Sequence, residues 1–141
     1  MMHKTLLFAD ICDKGARLHN QQGAEPVNAD EIAVCRRWIA MFANRRRTIN
    51  SGSSSYGLKH CVEEASSQSV YVSNGAFICA ALEAGFTAVQ CESRSPNCYF
   101  NMGTTAWRRL PVDSQGKRRG RHSNLLIPVN ENLKEQLDVR A

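Results

Sequence analysis

The sequence predicts an α+β fold that is mainly helical, with three central helices, a small two-stranded β element and a basic loop. Two observations carry this expectation. Apolar residues recur at helical spacing in three capped segments between Asn28 and Gly85. Beyond Phe86 that periodicity stops, and short extended runs around Pro96 give way to a polar stretch rich in Arg and Lys. A chain of 141 residues fits one domain of common size. With 43% hydrophobic and 22% charged residues it has a globular balance. The single domain, 1–141, divides into a weakly structured segment 1–27, a core 28–103, a basic loop or arm 104–124, and a C-terminal segment 125–141 with a short helix.

The N-terminal residues Thr5 to Leu18 form at most a weak helix, because Gly15 and scattered charges interrupt it. His19 to Pro26 reads as a loop. The first firm helix begins at Asn28, where Asn28 and Glu31 have the spacing of a capping box. Ile32, Cys35, Trp38, Ile39 and Phe42 give it one apolar stripe, with Arg36 and Arg37 off the stripe and solvated. Its end runs into Asn44, Arg45, Arg46 and Arg47, cations suited to the negative end of a helix dipole. Ser51 to Ser55 breaks the chain and caps a second helix, from about Tyr56 to Ala65. Ser66 to Ser69 turns, and Val70-Tyr71-Val72 is short and β-like. Ser73 or Asn74 caps a third helix, Gly75 to Ala84, which Gly85 terminates. Thr87 to Cys91 and Cys98 to Met102 pair as the two strands, Thr104 to Leu110 is extended, and Pro111 to Ser123 is a mobile loop. A short helix follows Asn130.

Several function classes find no support in the residues. No apolar run approaches the roughly 18–20 residues that cross a bilayer, so a membrane partner is not expected. The Leu6-Leu7-Phe8 patch is too short for a secretory signal, so the six cysteines are expected as reduced thiols in the cytoplasm. Cys91 and Cys98 lack the spacing of zinc ligands and the four histidines are scattered, so neither metal nor other cofactor is expected. His60 and Glu64 share a helix face, but an i,i+4 pair is ordinarily a surface ion pair. No nucleophile motif or phosphate-cradling glycine loop accompanies it, and the expectation is a protein that is not an enzyme.

Charge points to a different activity. The net charge of +5 is concentrated in two stretches, Arg36, Arg37, Arg45, Arg46 and Arg47, then Arg108, Arg109, Lys117, Arg118, Arg119 and Arg121. Arginine forks match phosphate oxygens in pairs, and Trp107 with Tyr99 and Phe100 would stack on unpaired bases. The candidate nucleic-acid-binding residues are therefore Arg45, Arg46, Arg47, Trp107, Arg108, Arg109, Lys117, Arg118, Arg119 and Arg121. The alternative is that these arginines only solvate the fold and Trp107 packs inside it. The second and third helices invite comparison with a helix-turn-helix, but their connection is too long. From Ser73 to Phe86 the third helix carries only Glu83 as a charge. Base reading by that helix is not expected, so sequence preference should be weak.

The runs Ser55-Tyr56-Gly57-Leu58-Lys59-His60, Tyr71-Val72-Ser73-Asn74-Gly75-Ala76-Phe77-Ile78, Gly85-Phe86 and Asn97-Cys98-Tyr99-Phe100-Asn101 carry a resemblance. Over about Arg36 to Met102 the chain resembles small uncharacterised accessory proteins encoded by phages, conjugative plasmids and other mobile elements. The resemblance implies a bacterial cytoplasm and an accessory gene, and assigns no activity or site residue. It also suggests an alternative function, an inhibitor of a host defence system acting by binding an acidic protein surface.

Overall fold

The structure, a computed structural model, describes residues 4–18, 23–66 and 70–118. The turn around Ser66 to Ser69 therefore lies largely outside the described residues. Arg119, Arg121, the segment 125–141 and the helix expected after Asn130 lie wholly outside them.

Three helices start where the capping residues require. Asn28 Oδ1 accepts from the backbone N–H groups of Asp30 and Glu31 and opens α1, Ala29–Phe42. Glu31 does not complete the expected box. Its Oε1 accepts from the Ser73 N–H at 2.7 Å, so the carboxylate ties α1 to the start of another helix. Ser54 Oγ caps α2, Ser55–Ala65, and Ser73 Oγ caps α3, Asn74–Glu83. Gly85 follows α3 with φ of 91°, the left-handed conformation in which glycine bears no steric cost. α1 buries Val34, Cys35, Trp38, Ile39 and Phe42 on one stripe, whereas α3 is buried from Asn74 through Ala81. Trp38 lies at the centre, with ring centroids 5.6 Å from Phe42, 6.0 Å from Phe77 and 5.7 Å from Trp107.

The strands overturn the mainly helical expectation. About 39% of the described residues are helical and 23% are strand, an α+β structure with two sheets and not a set of three central helices with a β appendage. The pair expected after Phe86 forms as β4, Ala88–Gln90, antiparallel to β5, Cys98–Gly103, with Val89 opposite Tyr99. A third strand, β3, Asn44–Ser54, adds to the other side of β5. It contains the arginines read as the tail of α1. That helix stops at Phe42 because Ala43 already has extended dihedrals, and pairing of Asn44 with Gly103 and Arg45 with Met102 carries the chain away as strand. Arginine tolerates either state, so a distant partner decides. Between Arg45↔Met102 and Asn50↔Phe100 four residues of β3 face one of β5, a bulged and irregular register.

The two edges of this sheet differ. The outer edge of β4 is covered by the N-terminal segment: Leu6 N–H donates to Ala88 O at 2.9 Å and Gln90 N–H to Lys4 O at 3.0 Å. Among the described residues no strand pairs with the outer edge of β3.

The N-terminal region is not a helix. After a 3-10 turn at Phe8–Asp10, β1, Ile11–Cys12, pairs with β2, Gly15–Ala16, in a two-stranded hairpin. Burial of Leu6, Ile11, Cys12 and Ala16 holds it to the core. The hairpin sits directly on the start of α3, where Gly75 N–H donates to Asp13 O at 3.0 Å. The Val70-Tyr71-Val72 run forms no strand. The extended run expected at Thr104 to Leu110 is instead α4, a single turn at Thr105–Arg108 that drives Trp107 inward. Residues 111–118 of the expected mobile loop form a turn in which Asp113 Oδ1 accepts from the N–H groups of Gln115 and Lys117.

Candidate nucleic-acid interface

Arg45, Arg46 and Arg47 are consecutive and exposed on β3. The guanidinium of Arg45 lies 5.8 Å from the ring centroid of Phe86, which steadies it without removing its charge. At the other end of the strand Arg108 Nη2 donates to Ser53 Oγ at 3.0 Å. This bond ties Arg108 to the strand that carries the other arginine group, at its opposite end. Arg109 is exposed beside Arg108 on the same turn. β5 spans Gly103 to Tyr99 between the pairs Asn44↔Gly103 and Ser54↔Tyr99. At about 3.4 Å per residue the arginine line therefore extends on the order of 14 Å.

None of Arg45, Arg46, Arg47, Arg108 and Arg109 forms an ion pair among the described residues. Arg36 differs. It is exposed, as expected, but its Nη2 lies 2.5 Å from Glu83 Oε2, so a carboxylate of the same chain answers its charge at the surface. Lys117 is exposed on the Asp113 turn. Arg118 is half-buried, and its Nε has no hydrogen-bond partner. Arg118 and Arg108 both act on the Cys61 thiol of α2, drawing its pKa down while burial, the larger effect, pushes it up. Arg108 and Arg118 thus both lie near Cys61 of α2.

Of the three rings expected to stack, Tyr99 on β5 is half-buried, and Trp107 and Phe100 are not on this surface. Trp107 is 3% exposed and packs against Phe42, with centroids 5.1 Å apart, and Phe100 is 1% exposed. Neither ring is presented to a base. An aromatic beside arginines looks the same in sequence whether it stacks outside or packs inside, and the helical turn of α4 separates the two by sending residue 107 inward.

His60 and Glu64 do not form the expected pair. His60 Nδ1 lies 2.9 Å from Glu63 Oε1. Glu63 Oε2 accepts from Lys59 Nζ at 3.2 Å and from the Val72 N–H at 3.1 Å. This carboxylate fastens α2 to the segment before α3, a role for which Glu63 gave no sequence signal. Among the described residues no group of three or more His, Cys, Asp or Glu side chains could hold a metal ion. No helix of the described residues is long and apolar enough to cross a membrane.

No family model, no curated protein and no solved structure matches the chain.

Proposed function

We propose that this chain binds nucleic acid without catalysis, mainly through phosphate contacts made by Arg45, Arg46, Arg47, Arg108 and Arg109, as an accessory protein of a bacterial mobile element. The observation that carries the reading is the Arg108–Ser53 bond, which ties the second arginine group to the strand that bears the first, with none of Arg45, Arg46, Arg47, Arg108 and Arg109 in an ion pair among the described residues. A line of on the order of 14 Å corresponds to about four phosphates of one duplex strand, at 3.4 Å each. The burial of α3 from Asn74 through Ala81 supports weak sequence preference, because that helix presents no set of base-reading side chains to a groove.

A salt titration of binding to random DNA and RNA tests this. Four to six phosphate contacts give a slope of log K against log salt of roughly −3 to −5. The R46A/R47A variant should flatten it by about one unit per lost contact and stay folded, since both side chains are exposed. If neither polymer binds at micromolar protein in low salt, the reading fails. The same unpaired arginines would then be assigned to an acidic protein surface, as in an inhibitor of host defence.

A further inference from the structure

A cleft of about 600 Å³ opens at the start of α3, where α2 and the N-terminal hairpin meet it. Small-molecule sites have volumes of about 300–1,000 Å³. Two tyrosines line it with their rings largely in solvent, Tyr71 at 65% and Tyr56 at 52% exposure. Lys59 is buried between them and fixes both, its ammonium 4.5 Å from the Tyr71 centroid and 5.6 Å from that of Tyr56. Glu63 answers that charge at 3.2 Å, and the hairpin turn brings one charge of each sign, Asp13 and Lys14. A cleft so balanced suits a flat, neutral, polar ligand better than a free phosphate.

Two amides add hydrogen-bonding groups. Asn74 is 7% exposed, and its Nδ2 faces Lys14 O at 3.0 Å, Pro96 O at 3.2 Å and Asn97 Oδ1 at 3.0 Å. Three oxygens around one nitrogen fix the orientation of the amide. Its Oδ1 is left buried with no partner, a costly state that a donor from a ligand would relieve. Asn97 accepts through Oδ1, which leaves its amide N–H groups as donors at the same cleft.

We infer that this cleft takes one unpaired nucleobase. The solvent-exposed ring of Tyr71 or Tyr56 stacks on one face of the base, and the Asn74 oxygen with the Asn97 amide nitrogen meets an edge that displays a donor beside an acceptor. Ser53, which holds Arg108, precedes Tyr56 by three residues, on the order of 10 Å of chain at most. A base in the cleft therefore has its own phosphates within reach of the arginine line. The inference deepens the nucleic-acid reading, and rests on it for the choice of a base over another flat heterocycle.

Adenosine, cytidine, guanosine and uridine, which carry no phosphate, separate the cleft from the arginines. Titrated into the folded full chain at millimolar concentration, at least one should shift the ring resonances of Tyr71 and the side-chain amide resonances of Asn74 and Asn97 saturably. Tyr71→Ala should weaken that binding about tenfold and Tyr71→Phe should retain it, because stacking needs the ring and not the hydroxyl. Both variants should keep the wild-type circular dichroism, and R46A/R47A should bind the nucleoside as the wild type does. If random oligonucleotides bind but no nucleoside moves these resonances, the base cleft is wrong and the phosphate reading stands. If nucleosides bind and oligonucleotides do not, the cleft stands and the polymer reading falls.

Discussion

Trp107 joins α4 to the aromatic cluster of Trp38 and Phe42, so its effect on the protein runs through stability. Trp107→Ala should cost about 3–5 kcal/mol, the range for an emptied aromatic site, and urea unfolding measures it. Trp107→Phe should keep nucleic-acid affinity within a few-fold, since the indole is not at the surface. The thiols report on the same interior. None of the six cysteines is in a disulfide, and Cys61 and Cys91 are the more accessible. A thiol reagent should modify these two before Cys12, Cys35, Cys79 and Cys98. Burial pushes Cys79 up to about 11 and Cys98 to about 12, and raises Cys35 as well. These acids stay neutral in the native state while the unfolded chain ionises near 9.0. Their stabilisation is therefore full below that pH and is lost progressively up to about 12. Urea midpoints should fall across this alkaline range, and less steeply in Cys79→Ala.

The seat of the β1–β2 hairpin on α3 leaves no room for a side chain. A Cβ on Gly75 would land on the Cys12 carbonyl oxygen, and one on Gly15, where φ is 119°, would meet Pro96 O and the Asn74 amide. Gly→Ala within a helix ordinarily gains about 0.5–1 kcal/mol. Gly75→Ala should have the opposite sign, with a lower melting temperature and earlier amide exchange in residues 11–16. Which elements the sequence discloses follows from where their information lies. α1, α2 and α3 are legible because Asn28, Ser54 and Ser73 are local caps, and because their apolar residues repeat locally. β3 is not, because its residues are mostly exposed and show no alternation. It exists through a partner strand far along the chain. The hairpin has two-residue strands, too short to carry any period.

For the molecule as a whole, the arginines proposed to hold phosphate stand out by charge in the sequence, but the positions the fold gives them do not. The Arg108–Ser53 bond depends on both β3 and α4, and each was expected in another conformation. The cleft is less legible still, since Tyr56, Lys59, Tyr71, Asn74, Asn97 and the hairpin turn come from separate segments. The unequal sheet edges have one more consequence. β4 is sealed by residues 4–6, but among the described residues no strand pairs with the outer edge of β3, a template on which a second copy of the chain could add a strand. Three consecutive arginines and a broken register oppose this, because like charges repel across an edge-to-edge contact and a bulged edge presents no straight ladder. The residues proposed to hold phosphate thus also act as gatekeepers against aggregation. An R45S/R46S/R47S protein should be monomeric when dilute and self-associate as concentration rises in light scattering, while the wild type remains dispersed. Nucleic acid covering those arginines would mask their repulsion, so the chain should be most prone to coalesce at the ratio of ligand that just balances its charge.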